Sequence, residues 1–267
     1  MSIKIVKTKL SYLDQEVNAL VFLPSPNGSI KKACGVFTHG YTSHKASILP
    51  WATRLAEEGI PTLIFDQPGH FLGTFSEVEN FEEFKEVVPT LFHQGLEKLT
   101  ELFSSEIPLS SHIFDEDDFK VILGGHSLGA LMSLLALETP EFAHRDSITI
   151  CVGLGMPPSG VTHIFDTPLY KSTLTIRSQL VSKAISPDVI FPWIRERKEN
   201  LHINGKRIHF ITGADDVIVG KEGTQLMVDY LTTGNQVTYE RPLKMPHHMP
   251  EMAAPHIKKF LRSENLI

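Results

Sequence analysis

The run 120-KVILGGHSLGA-130 carries an apolar stretch straight into a serine with glycines two before and two after it. A serine hydroxyl is a weak nucleophile until a base takes its proton. It must also be exposed, with backbone N–H groups aimed where an oxyanion develops. A sharp turn from strand to helix meets both needs. It lifts the hydroxyl clear of a sheet and sets it at the N–H-bearing end of a helix. So tight a turn calls for small residues where Gly125 and Gly129 stand. Ser127 is therefore a candidate nucleophile for acyl transfer. The plainer alternative is a glycine-rich turn with an incidental serine.

Such a serine needs a base and a group to orient the base. The stretch 213-GADDVIV-219 offers Asp215 and Asp216, and 243-LKMPHHMPEM-252 offers His247 and His248. The chain order Ser, Asp, His is one of the three known for this triad. A metal site built from His247, His248, Glu251 and His256 is the rival use of the second stretch. No H-E-x-x-H pattern and no cysteine pair supports it. The glycines of 153-GLG-155 and 220-GKEG-223 lack the spacing of a nucleotide-binding loop. No cofactor and no metal are expected.

These residues need strands and helices to hold them. Residues 3–9 and 16–23 read as two strands joined by a turn near Asp14, an antiparallel pair at a sheet edge. Short, near-continuous apolar runs follow at 33–39, 60–66, 120–125, 147–155 and 207–213, as expected of strands buried on both faces. A last strand is read at 236–242. Helical patterns intervene at 47–58, 81–103, 126–138 and 224–233, and an amphipathic helix closes the chain at 256–264. Pro89 is expected to bend or break the long helix 81–103. Alternating strands and helices predict an α/β domain with a mostly parallel sheet covered on both faces. Residues 156–206 break the alternation. They are proline-rich, with helical patterns at 173–185 and 188–200, and so long an excursion reads as a cap over the sheet end.

Composition narrows the class. The chain has 267 residues, 42% of them hydrophobic, enough for a full core, and a formal charge of −6. No lysine/arginine block stands out, which argues against nucleic acid or an anionic membrane as partner. The two cysteines, Cys34 and Cys151, sit in apolar runs and suggest core thiols rather than a disulfide framework. The start of the chain lacks an apolar signal region, and no run approaches a membrane span. A cytoplasmic protein is expected.

Five stretches in this order, 39-HGY-41, 66-DQPGH-70, 125-GHSLG-129, 213-GADDVIV-219 and 247-HHMPE-251, resemble the α/β-hydrolase superfamily. Within it, residues 39–70 look most like small acyl esterases of the cinnamoyl/feruloyl esterase and serine-aminopeptidase-like branch. The resemblance implies the α/β-hydrolase fold, with about eight strands, a core of 1–155 and 207–267, and a cap of 156–206. It makes Ser127 the nucleophile and Asp216 the acid, with Asp215 as the alternative. The G-H-[FM]-P pattern selects His248 as the base, with His247, which stands where glycine is usual, as the alternative. Oxyanion N–H groups would come from Leu128 and Tyr41. Asp66 belongs to a structural turn.

The activity implied is cleavage of a small or medium carboxylic ester through an acyl-enzyme. Thioesterase, peptidase and C–C hydrolase chemistry share the triad. A binding protein of the same fold, with slow or no turnover, is the alternative of another class. Met156, Phe165, Leu169, Phe191 and Trp193 are the candidates for an apolar substrate pocket.

Overall fold

The computed structural model describes residues 3–116, 118–156 and 168–267. Eight strands form one sheet: β1 (Lys4–Tyr12), β2 (Gln15–Leu23), β3 (Ala33–Thr38), β4 (Thr62–Phe65), β5 (Lys120–His126), β6 (Ser147–Val152), β7 (Arg207–Ile211) and β8 (Gln236–Glu240). Their order in space is β1-β2-β4-β3-β5-β6-β7-β8. β1 pairs antiparallel with β2, and β2 antiparallel with β4. From β4 onward every pairing is parallel. The sheet is thus the mostly parallel one that the alternation predicts, with the antiparallel pair at its edge.

Strand periodicity divides the core into two layers. In β5, Val121 and Leu123 face one cluster and Ile122 the other. The first cluster takes Leu91, Phe92 and Leu99 of α2 (Phe81–Glu106) with most of α3 (Leu128–Ala136). The second takes Trp51 and Leu55 of α1 (Leu49–Glu57) with Ile257, Phe260 and Leu261 of the C-terminal helix Ala254–Ser263. β3 and β6 are buried along their whole length, which is why they read as continuous apolar runs.

Asn80 starts α2 by accepting a hydrogen bond from the Glu82 N–H at 2.9 Å. The helix then runs through Pro89 as one element rather than breaking there. A proline costs one ladder hydrogen bond, and here its ring is buried against the core, with Val88 and Leu91 fully buried beside it. Short helix α4 (Pro140–Ala143) leads into β6.

The region after β6 carries α5 (Pro168–Arg177) and α6 (Pro187–Glu199), and α7 (Gly223–Thr232) lies between β7 and β8, which leaves the C-terminal helix as α8. The helix expected at 173–185 therefore begins and ends earlier. The chain after it turns to the sheet side instead. The Phe71 N–H donates to the Leu180 carbonyl, Val181 bridges to His70, and the Ser182 N–H donates to the Gly69 carbonyl. Among the described residues, no helix is long and apolar enough to cross a membrane.

Parallel strands end on the same side of a sheet, so the loops after β3, β5, β7 and β8 gather at one edge. Those loops carry His39, Ser127, Asp216 and His247.

Candidate active site

Ser127 sits between β5 and α3 with φ 52° and ψ −111°. A non-glycine residue at positive φ is strained and is held there by its surroundings. The surroundings are backbone. A Cβ on Gly125 would lie 2.5 Å from the Gly129 carbonyl carbon and 2.6 Å from the Thr38 carbonyl oxygen. A Cβ on Gly129 would lie 2.5 Å from both the Thr38 and the His39 carbonyl oxygens. The two glycines therefore let β3, the elbow and α3 close on one another.

The hydroxyl meets a histidine. His247 Nε2 lies 3.1 Å from Ser127 Oγ, and His247 Nδ1 lies 2.8 Å from Asp216 Oδ2. A carboxylate only accepts, so Nδ1 carries the hydrogen and Nε2 is left to accept from the serine. Asp216 is 3% exposed. Its other oxygen accepts the N–H groups of Ile218 and Val219, both at 3.0 Å. The carboxylate is thus fixed in place by its own turn. Asp215 points elsewhere: it is exposed, and its Oδ1 accepts the Met245 N–H at 2.8 Å.

The histidine in this line is His247, where the sequence pattern selects His248. The loop explains the exchange. Met245 is buried and held by Asp215, and a Cβ on Gly213 would lie 1.9 Å from its carbonyl oxygen. Five residues on, the Pro250 carbonyl accepts the indole N–H of buried Trp51 at 2.8 Å. Between these anchors the Met249 N–H closes a turn on the Pro246 carbonyl. Adjacent side chains in such a turn diverge. His247 points inward and His248 stands exposed at the rim of the cavity.

His126 packs against His247, with ring centroids 4.7 Å apart. Burial pushes its pKa well below the ordinary histidine value, and the neighbouring His247 adds to this. A neutral ring places no competing cation beside the imidazolium that would form on His247.

The opposite wall is the turn after β3. His39 is fully buried, with Nδ1 bonded to the Gly40 carbonyl and Nε2 accepting the Gln67 N–H at 2.9 Å. A Cβ on Gly40 would come within 3.2 Å of the Ser127 Cβ. That close approach sets Tyr41 next to the elbow, and its phenol donates to the Ile185 carbonyl at 2.8 Å. Leu128 opens α3, so its N–H has no intrahelical acceptor. Asp66 is buried and binds both the backbone N–H and the ammonium of Lys45, the contacts of a structural carboxylate.

A cavity of ≈ 740 Å³ opens over Ser127 and His247. Phe191 lines it, as do Tyr41 and Leu128. Met156 does not line it. Its backbone presses against Gly223 at the start of α7, and its side chain packs on the core. Trp193 faces away as well. It meets Phe81 edge-on at 5.6 Å and lines a separate depression beside α2. Phe165 lies outside the described residues, as does the side chain of Leu169. Thr173 and Arg177 of α5 and Ile194 and Lys198 of α6 also line the cavity. Thr173, Arg177 and Lys198 are polar and fall outside an apolar-pocket pattern, while Ile194 could be found only from the i, i+3, i+7 spacing of Phe191, Ile194 and Lys198, which marks one helix face.

Residues 36–245 match the alpha/beta hydrolase family. The chain belongs to that family. No curated protein sequence matches it. Among solved structures it is similar to a soluble variant of the monoglyceride lipase of Saccharomyces cerevisiae, at TM-score 0.60 and 10% identity over 96% of this chain and 94% of that one. It is likewise similar to a bromoperoxidase of Bacillus anthracis, at TM-score 0.60 and 15% identity over 98% and 99% of the two chains. An esterase of Pyrococcus furiosus matches at TM-score 0.58 and 15% identity over 98% and 90%. At such identities the likeness is one of fold.

Proposed function

We propose that this α/β-hydrolase is a serine hydrolase that cleaves a small or medium carboxylic ester. The observation that carries the proposal is the hydrogen-bonded line from Ser127 Oγ through His247 to Asp216. His247 takes the proton of Ser127 as the hydroxyl attacks the ester carbonyl. Asp216 holds the ring and favours the imidazolium. The Leu128 and Tyr41 N–H groups are assigned to the oxyanion. His247 then protonates the leaving alcohol, the acyl group stays on Ser127, and water activated by the same histidine releases the acid. Residues 156–206 act as a cap that selects the substrate. Esterases and a lipase among the similar structures are consistent with ester cleavage.

The test is hydrolysis of 4-nitrophenyl butyrate. Ser127→Ala and His247→Ala are each expected to lower kcat by about 10³-fold or more, as removal of a triad member does. His248→Ala is expected to keep activity within about tenfold. Equal rates for the wild type and Ser127→Ala would remove the serine mechanism. Loss with His248→Ala but not with His247→Ala would return the base to the sequence-selected residue.

A further inference from the structure

α6 turns one face, Phe191, Ile194 and Lys198, toward the cavity that holds Ser127. The first two are what an apolar ester needs. The third is not. Lys198 is only 7% exposed. Its Nζ donates to the Gly155 carbonyl at 2.6 Å, a neutral acceptor in the same cavity wall. Among the described residues no carboxylate pairs with it. An ammonium carries three donors, so two N–H groups have no described acceptor. Burial lowers its pKa to about 8, while Arg195 and Glu199 on the same helix act with opposite sign. The group is still mostly protonated at neutral pH.

Burying a cation without a counter-charge is unfavourable. Two other buried or half-buried cations among the described residues have evident structural duties. Lys206 donates to the Phe142 and Arg145 carbonyls, and Lys45 pairs with Asp66. Among the described residues Lys198 makes one side-chain bond, and it faces the substrate space. The one carboxylate among the described lining residues is Asp215, which is exposed and already accepts the Met245 N–H. Arg177 also reaches the cavity, where it donates to Thr42 Oγ1 at 2.7 Å.

We propose that Lys198 recognises an anionic group on the substrate, so that the ester cleaved carries a carboxylate that Lys198 Nζ binds while Ser127 attacks the ester carbonyl. This rests on the serine-hydrolase proposal above. The reaction itself is unchanged: water is consumed, the ester C–O bond breaks, and the carboxylate is a handle that takes no part in bond making.

Three esters test it: neutral 4-nitrophenyl butyrate, mono-4-nitrophenyl glutarate with the charge on the acyl side, and 4-butyryloxybenzoate with the charge on the leaving group. The wild type is expected to favour one charged ester over the neutral one in kcat/KM. Lys198→Met keeps the stem length and should cut that ratio about thirtyfold or more, chiefly through KM, as removal of one partner of a buried charge pair does. Lys198→Arg should restore part of it. Which charged ester responds tells the acyl from the alcohol side. If Lys198→Met leaves the charged-to-neutral ratio as it was, Lys198 is a tether to Gly155 and the proposal is overturned. Binding to Ser127→Ala, measured by calorimetry with monomethyl glutarate and with neutral methyl butyrate, is independent of turnover. Preference for the anion that Lys198→Met abolishes supports the site even if no ester is hydrolysed, and equal binding of the two ligands refutes it.

Discussion

The turn at Ser127 and the helix α6 face each other across one cavity and are built by opposite means. At the elbow, backbone meets backbone. Gly125 and Gly129 have carbonyl atoms where a Cβ would sit, and Ser127 is held at positive φ between them. In α6 only Pro187, Ile190 and Lys198 are buried, and side-chain bonds tie it down. Arg197 pairs with Glu138, and Lys198 bonds the Gly155 carbonyl. A backbone-locked turn cannot change shape without loss of the fold. A helix held by a few side chains can change what it presents at small cost. Reaction geometry lies on the first, and the choice of substrate is proposed to lie on the second.

The largest effect that would test this contrast is at the elbow. Gly129→Ala puts a methyl group 2.5 Å from two carbonyl oxygens that belong to β3 and its turn. Backbone has to move, so the expected cost is on the order of 5 kcal/mol or outright failure to fold, beyond the usual range for one substitution. Urea denaturation measures it. A variant with wild-type stability would mean that the elbow is not locked, and the contrast with α6 would go with it.

Acid separates the two regions next. Three fully or nearly fully buried histidines lie at the elbow and behind it: His126 precedes Ser127, His39 sits in the facing turn, and His70 meets His39 edge-on at 5.3 Å. Burial lowers the pKa of His39 and of His70 to about 3, and that of His126 well below its ordinary value. The folded state then binds fewer protons than the unfolded state between about pH 6.5 and pH 3. Stability therefore rises with pH in that window and is lost as pH falls. His39 and His70 together can remove up to ~4 kcal/mol between pH 7 and pH 5. An unchanged urea midpoint between those two pH values would show that these rings are not held neutral by the fold.

The elbow side was readable for the reason that it is rigid. Glycines two either side of Ser127, and a short apolar run before it, are what a strand-to-helix reversal requires of any sequence. The sheet followed likewise, since β3, β5 and β6 are buried on both faces and carry no polar alternation. A bend or a break in α2 is expected at Pro89, and the helix does not break there, because the pattern holds no information on the packing that carries the ring within the helix. Choosing between His247 and His248 depended on where Met245 and Pro250 are pinned, by Asp215 and by Trp51, residues 30 and 199 positions away. Spacing alone does not encode such contacts. The covering helices were least legible. Apolar character makes both Phe191 and Trp193 pocket candidates, yet Trp193 stands two residues beyond Phe191, about 200° around a helix, and meets Phe81 instead.

That difference between neighbours gives the smallest and sharpest test. Phe191 lies edge-on to Tyr41 at 5.2 Å and lines the cavity, whereas Trp193 meets Phe81 and lines the separate depression beside α2. Both rings are partly buried on one short helix, so composition and position do not tell them apart. Phe191→Ala removes apolar surface that a bound acyl group would cover. A pocket contact of this kind is worth about 1–3 kcal/mol, so KM should rise roughly tenfold while the bonds around His247 stay as they are. Trp193→Ala should instead lower the unfolding free energy by about 1–3 kcal/mol, the cost of truncating a partly buried ring. Its effect on kcat/KM for 4-nitrophenyl butyrate should stay within about threefold. If the two substitutions exchanged roles, with Trp193→Ala raising KM and Phe191→Ala lowering only stability, α6 would be rotated from the face described, and Lys198 would turn away from the cavity with Phe191.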